Sequence, residues 1–429
     1  MTYSETIEYL YGLRWFGTKF GLENTLKLAG LAGNPQQRLR FIHVAGTNGK
    51  GSTCAMLEAI YRAAGLKVGL FTSPHLVAFG ERIQVNRRPI SEQEIVAQVD
   101  WLRGLLARFP REEHPTFFEV VTVMALRYFS EQRCDLVIWE TGLGGRLDAT
   151  NIVTPLASVI TNIEYDHQKW LGYSIEEIAA EKSGIIKEGI PVITGAERPE
   201  ALAVIRKTAA EKDAPLSVVN RSEAEKATAG IPLSLRGEHQ KLNAALALST
   251  VEALAAKIAA PIATARRALA DVRWEGRLQL LARASGQRIL LDGAHNEAGA
   301  RALADALRRD FSGELPALVL GILADKDIDP ICRLLAPLGN RIFLTRVQSE
   351  RSAGTRELAA ACRAANPKAK VTEHACLADA LKAASDLPFV VLTGSLYLIG
   401  EALELLRGEP AGRERLLNEW GQSSRPGSD

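Results

Sequence analysis

The stretch HVAGTNGKGST (43–53) sets Gly46, Gly49 and Gly51 around Lys50 and ends on the hydroxyls of Ser52 and Thr53. Those residue types suit a phosphate cradle. Glycines let the backbone approach oxygens closely and adopt positive φ. The N–H groups of a following helix point at phosphate, and a lysine adds a point charge at its β/γ end. Ser52 or Thr53 caps the helix or meets a metal. The spelling departs from the common GxxxxGK[ST], because Gly51 separates Lys50 from the hydroxyls. The competing reading is a glycine-rich turn with an exposed lysine. The order strand, glycines, lysine, hydroxyls disfavours it.

Other polar residues fall where apolar runs end. Thr72, Ser73, Pro74 and His75 follow KVGLF, Glu140 closes CDLVIW, and Asp166 and His167 follow SVITNI. In a doubly wound sheet, ligands sit outside the carboxyl ends of the strands. A hydroxyl, a carboxylate and an imidazole beside a triphosphate make a Mg²⁺ site, although histidine is an unusual magnesium ligand. A structural histidine and a turn carboxylate remain the alternatives for His167 and Glu140. The run TGLGGRLDATN (141–151) reads as a tight loop presenting Arg146 and Asp148. By composition alone, Lys182 reads as a helix C-terminal charge favoured by the dipole.

These residues need elements to position them. Residues 38–45 read as a buried strand and 52–65 as the helix after it. Further strands are expected at 67–72, 134–140, 156–163 and 190–195. Helices are expected from the Ser91/Glu94 capping box to about 108, and over 117–131. Short apolar runs separated by helices indicate a mainly parallel sheet covered on both faces. A second series of strands follows at 288–292, 317–323, 341–345 and 389–393, with helices expected before it over 243–259 and 264–270. The expected fold is α/β: a doubly wound, mainly parallel P-loop ATPase domain over 1–284, then a smaller Rossmann-like α/β domain over 285–429. The tail GEPAGRERLLNEWGQSSRPGSD is expected to fray.

Composition excludes several classes. The chain of 429 residues has a formal net charge of +2, which makes no case for nucleic acid or another polyanion. No run of eighteen apolar residues occurs and the start lacks a signal-peptide pattern, so no membrane is expected. Cys54, Cys134, Cys332, Cys362 and Cys376 are scattered, as suits reduced thiols in a cytoplasmic protein. The absence of an apolar surface stripe leads to the expectation of a monomer.

An ordered set of motifs now becomes readable: GTNGKGS, FTSPHL with ERIQVN, TFFE, ETGLGGRLDATN, DHxxxLG, AEKSGI, EHQKLNAALAL, EGRLQ, DGAHN and GILADKD. Over roughly residues 40–400 the chain resembles the folylpolyglutamate synthase/dihydrofolate synthase family of the Mur ligase superfamily. The resemblance implies an ATP-dependent amide ligase of folate biosynthesis and one-carbon metabolism. ATP would phosphorylate a carboxylate, and L-glutamate would attack the acyl phosphate. The acceptor would be dihydropteroate or the γ-carboxylate of a reduced folate.

The same resemblance implies residue roles. Thr47, Asn48, Gly49, Lys50, Gly51 and Ser52 would hold ATP phosphates. Ser73, Glu140 and His167 would bind one or two Mg²⁺ ions, in agreement with the strand-end argument. Lys182 matches the family's carbamylated lysine, which displaces the helix-charge reading. Asn243, Arg277 and Asp292 match ATP-contacting positions, so the nucleotide would bridge the domains. Lys50, Glu140, His167 and Lys182 would be catalytic, and His295 would lie near the cleft. Thr116, Phe117, Phe118 and Glu119, with Leu147, Asp148 and Ala149, match the dihydropteroate pocket, whose aromatic members could flank a pterin ring. The intact TFFE favours retained dihydrofolate synthase activity; folylpolyglutamate synthase activity alone is the alternative. Asp325, Lys326, Asp327 and Ser395 read equally as glutamate-pocket residues or loop polar groups.

Three rivals are disfavoured. A muramyl-peptide ligase would need a further N-terminal domain, and about forty residues before the phosphate loop are too few for one. An NTPase switch fits neither GKGS nor the carboxylate, lysine and histidine positions. A non-catalytic relative would not be expected to keep those groups.

Overall fold

The computed structural model describes residues 1–17 and 21–408. The chain forms two compact units. Among the described residues, one comprises Met1–Pro232 and Leu242–Val272; the other comprises Leu233–Lys241 and the chain from Arg273 to Gly408.

The first unit is built on eight strands: β1 Phe41–Ala45, β2 Val68–Phe71, β3 Ile83–Val85, β4 Arg88–Pro89, β5 Leu136–Glu140, β6 Ala157–Ile160, β7 Val192–Thr194 and β8 Leu216–Val218. Their order is β4-β3-β2-β5-β1-β6-β7-β8. The ladders from β2 to β8 are parallel, while β3 and β4 add an antiparallel edge. Strands β1, β2, β5 and β6 are buried along their whole length. They therefore read as continuous apolar runs, without the alternation of a half-exposed strand. Registry sets Glu140 beside Val44, two residues before Gly46. The carboxylate at the end of β5 thus belongs to the same sheet edge as the phosphate loop.

Helix Phe117–Glu131 matches its expected span and is buried on nearly all sides. It lies in a core with Phe41, Phe71 and Trp139. The Phe71 and Trp139 ring centroids are 4.5 Å apart. The Ser91/Glu94 capping box forms and opens helix Glu92–Leu106.

The second unit holds six strands: β9 Gln279–Ala282, β10 Arg288–Asp292, β11 Ala317–Leu320, β12 Arg341–Thr345, β13 Lys370–His374 and β14 Phe389–Thr393, ordered β13-β12-β11-β14-β10-β9. All pair in parallel except β9, which runs antiparallel to β10. The second sheet therefore begins upstream of residue 285, where the second domain was expected to start. Strands β3, β4, β8, β9 and β13 were not anticipated. They are short or lie at edges, and their polar residues hide the pattern. Helix His239–Ala253 begins and ends earlier than the expected 243–259. The first-unit helix after the phosphate loop begins at Lys50, not at residue 52.

Among the described residues no helix is long and apolar enough to cross a membrane. All five cysteines are free. The C-terminal tail expected to fray lies, from residue 409, outside the described residues.

Candidate phosphate-loop and strand-end site

The phosphate loop leaves β1 and enters helix Lys50–Ala63 through Gly49, whose φ of 85° lies in the left-handed region. Gly46 has φ 147°, and a side chain there would collide with the Thr161 hydroxyl. Both positions therefore require glycine. The loop is braced from the end of β6. Thr47 N–H donates to the Asn162 carbonyl at 2.9 Å, and Asn48 N–H donates to Asn162 Oδ1 at 2.8 Å. Thr161 Oγ1 donates to the Asn48 carbonyl at 2.6 Å. The sequence reading missed Thr161 and Asn162, although both stand at a strand end. A Cβ at Gly49 would run into the Asn243 amide, which places Asn243 against the loop.

Two lysines converge on one carbonyl. Lys50 Nζ donates to the Gly46 carbonyl at 3.1 Å and to that of Thr47 at 3.3 Å. Lys182 Nζ donates to the same Gly46 carbonyl at 2.9 Å. Lys182 stands in the last turn of helix Ile175–Ser183 and is buried. Burial, reinforced by the Lys50 charge, pulls its amine down to about 7, against the opposing pull of Asp166, Asp148 and Glu181.

Ser73 and Glu140 meet: the Ser73 N–H donates to Glu140 Oε2 at 3.2 Å, and Glu140 is buried. A hydroxyl and a carboxylate of neighbouring strands thus share the sheet edge. His167 follows β6 with a left-handed φ of 52°, and its N–H donates to Asp166 Oδ1 at 2.8 Å.

The glycine-rich loop after β5 is drawn inward by Asp148. Its carboxylate accepts the Leu143 N–H at 2.8 Å, the Thr150 N–H at 3.0 Å and the Thr150 hydroxyl. Burial nevertheless raises its carboxyl above the ordinary range. Leu147 and Ala149 flank it, the first half-buried and the second buried.

The segment 116–119 divides by role. Thr116 and Glu119 form a capping box, with Thr116 N–H donating to Glu119 Oε2 at 2.7 Å. Glu119 Oε1 accepts from Thr25 Oγ1 at 3.3 Å. Phe117 is buried and stacked on Tyr11 with centroids 4.9 Å apart. Of the four, Phe118 is the half-buried one, and its ring lies against Gly142 of the glycine-rich loop. The neighbouring ERIQVN motif also braces a loop. Glu81 accepts the N–H groups of Leu76, Val77 and Ala78, and Arg82 Nε donates to His75 Nδ1 at 2.8 Å.

The remaining expected residues lie in the second unit. Asp292 ends β10, and its carboxylate accepts the Leu278 N–H at 2.9 Å and the Ala294 N–H at 3.0 Å. Arg277 Nη1 donates to the Gly276 carbonyl at 3.5 Å. His295 Nδ1 lies 2.7 Å from the Gly293 carbonyl oxygen. Asp325 pairs with Arg351 at 2.6 Å, and Ser395 Oγ accepts the Tyr397 N–H at 3.2 Å at the start of helix Leu396–Arg407.

Comparison with known proteins gives consistent matches. The Mur ligase middle domain matches residues 44–251, and the Mur ligase glutamate ligase domain matches residues 276–396. Dihydrofolate synthase/folylpolyglutamate synthase of Bacillus subtilis is 37% identical, over 94% of this chain and 99% of its own length. The crystal structure of Thermotoga maritima folylpolyglutamate synthase has a TM-score of 0.82 at 35% identity, covering 96% of this chain and 98% of its own. E. coli FolC, solved in complex with DHPP and ADP, has a TM-score of 0.82 at 28% identity, covering 95% and 98%.

Proposed function

The chain belongs to the Mur ligase family and is an ATP-dependent ligase of the folylpolyglutamate synthase type, and on that premise we propose that it joins L-glutamate to two carboxylates. One is that of dihydropteroate, giving dihydrofolate. The other is the γ-carboxylate of a reduced folate, giving folylpolyglutamates. The convergence of Lys50 and Lys182 on the Gly46 carbonyl, beside the Ser73–Glu140 pair, carries this reading.

In the first step the acceptor carboxylate attacks the γ-phosphorus of ATP. A P–O bond forms to the carboxylate, the β–γ bridge breaks, and ADP leaves. The amine of L-glutamate then attacks the acyl carbon and loses a proton. The C–N bond forms, the C–O bond to phosphate breaks, and inorganic phosphate departs with the electron pair. Two anions must meet in the first step, so charge neutralisation is the main demand.

Backbone N–H groups of the loop, with Thr47, Asn48, Gly51 and Ser52, take the phosphates, and Lys50 turns its ammonium from loop carbonyls to them. Asn243, against Gly49, supports the nucleotide from the same unit. Arg277 and Asp292 are nucleotide-contacting residues of the second unit, and His295 is kept as a residue near the reacting groups.

The donor set fits magnesium. The Ser73 hydroxyl and Glu140 carboxylate are hard oxygen donors brought to one edge by the Ser73 N–H bond. Ser73, Glu140 and His167 would hold the ion, which supplies Lewis-acid neutralisation of phosphate charge. Lys182 fits carbamylation because its lowered pKa leaves neutral amine available near pH 7. That amine adds to CO₂ and releases a proton, and the carbamate nitrogen keeps an N–H for the Gly46 carbonyl.

Phe118, Leu147 and Ala149 present apolar surface to a flat pterin ring, while Thr116, Phe117, Glu119 and Asp148 hold that surface in place. Free thiols fit a reducing compartment such as the cytoplasm.

The test is ADP release by purified chain with ATP, Mg²⁺ and L-glutamate, with dihydropteroate or tetrahydrofolate added. Release with both is expected. Release with tetrahydrofolate alone removes the dihydrofolate synthase half. Release with neither, from folded protein, overturns the reading.

A further inference from the structure

We propose that His43 is a positioning residue for the acceptor substrate, acting through Thr150 on the segment that contains Leu147, Asp148 and Ala149. The inference rests on the acceptor role proposed above for that segment.

His43 lies in the middle of β1 among Phe41, Ile42, Val44 and Ala45, and is fully buried. An imidazole in such surroundings is costly to desolvate unless its polar atoms are used. Its Nε2 lies 2.9 Å from Thr150 Oγ1. The direction of that bond follows from proton counting. The Thr150 hydroxyl has one proton, which it donates to Asp148 Oδ1. Thr150 Oγ1 must therefore accept from His43, and His43 must be the neutral Nε2–H tautomer. Nδ1 then carries no proton, and it has no hydrogen-bond partner among the described residues. Burial, with the charge of Lys187, pulls the imidazole down to about 3, so the ring is neutral at working pH.

The chain of bonds runs His43 Nε2–H to Thr150 Oγ–H to the Asp148 carboxylate. Thr150 is held on its main chain as well, since Trp139 Nε1 donates to its carbonyl at 2.9 Å. The Asp148 carboxylate is in turn occupied by the Leu143 and Thr150 N–H groups. It is therefore a brace for its own loop, and what the segment can offer a ligand is its backbone with Leu147 and Ala149. Strand β1 carries the phosphate loop at its end, three residues beyond His43. One rigid strand thus references the acceptor segment to the phosphate loop, the alignment that acyl-phosphate formation needs.

Two measurements on the full chain test this. In ¹⁵N-histidine-labelled wild type, His43 should show a protonated Nε2 and an unprotonated Nδ1; the opposite tautomer overturns the inference whatever the activity. In kinetics, H43L and T150V remove the donor or the relay, while H43Q and T150S retain an N–H or a hydroxyl. H43L and T150V should raise KM for dihydropteroate and tetrahydrofolate about tenfold, the scale of a lost buried bond in a chain to a carboxylate. KM for ATP should stay near wild type, and H43Q and T150S should restore the pteroyl KM. An unshifted pteroyl KM, or an equal rise for ATP, overturns the positioning role. If H43L does not fold, T150V against T150S makes the same comparison. A wild type inert with both acceptors instead sinks the functional reading itself.

Discussion

Lys182 holds its Nζ 2.9 Å from the carbonyl oxygen of Gly46, the first glycine of the phosphate loop. Helix and loop come from distant parts of the chain, and Lys50 donates to the same oxygen. Two ammonium groups so placed repel, and the buried one loses its proton first.

That arrangement predicts a CO₂-dependent enzyme. The Lys182 amine titrates near 7 in the folded chain against an ordinary 10.5. Raising the pH from 6 to 8 converts it from mostly protonated to mostly neutral, so carbamate formation rises through pH 7. With ¹³C-bicarbonate, wild type should give a carbamate resonance that K182R lacks, and K182R should lose about 10²-fold or more in ADP release. The same shift has a stability consequence. Between pH 7 and 10.5 the unfolded chain binds more protons at this site than the folded chain, so stability rises with pH across that window. Urea midpoints of CO₂-free wild type and K182M check it, because K182M should lack that rise.

Glu140 should be required for metal-dependent turnover. E140Q keeps the shape and an oxygen for the Ser73 N–H but removes the charge. Its ADP release should fall about 10²–10³-fold at saturating ATP, and the Mg²⁺ concentration for half-activation should rise. Chelation should abolish wild-type turnover and added Mg²⁺ restore it. An E140Q chain with normal magnesium response would remove Glu140 from the metal site.

At Gly49, the left-handed φ of 85° and the Asn243 amide both oppose a side chain. G49A should destabilise the first unit by about 1–3 kcal/mol from backbone strain and crowding. It should also abolish ATP-analogue binding, read by calorimetry. An alanine variant that binds the analogue normally would refute the tight-loop account.

Phe118 and Glu119 should separate binding from stability, though they are neighbours. F118A should raise KM for both pteroyl acceptors while leaving the melting temperature within a few degrees, because the ring is half-buried. E119A leaves the Thr116 N–H and the Thr25 hydroxyl without their carboxylate. Its main effect should be about 1–2 kcal/mol of lost stability, the usual scale for a helix cap. Equal KM effects for the two variants would contradict this division.

Much of the architecture was legible because its signals are local. Long apolar runs marked β1, β5, β10 and β14, and a capping box marked the helix start at Ser91. The strands that escaped notice, such as β9 and β13, are edge strands whose exposed residues dilute the pattern. The site was legible as a list of residues at strand ends and in glycine-rich loops. Its inner wiring was not, because His43 looks like one polar residue in a buried strand and Thr150 like one more loop hydroxyl.

Residue types and their spacing set which groups are available: the glycines and lysine of the loop, the strand-end Ser73 and Glu140, and the lysine at 182. Glycine tolerance of positive φ and the apolar period of the strands are properties of residues and their near neighbours. Tertiary structure alone decided what each group does. It buried Lys182 against Lys50, turned Asp148 and Glu119 into braces, and gave His43 its partner, because burial and charge proximity depend on segments far apart in sequence packing together.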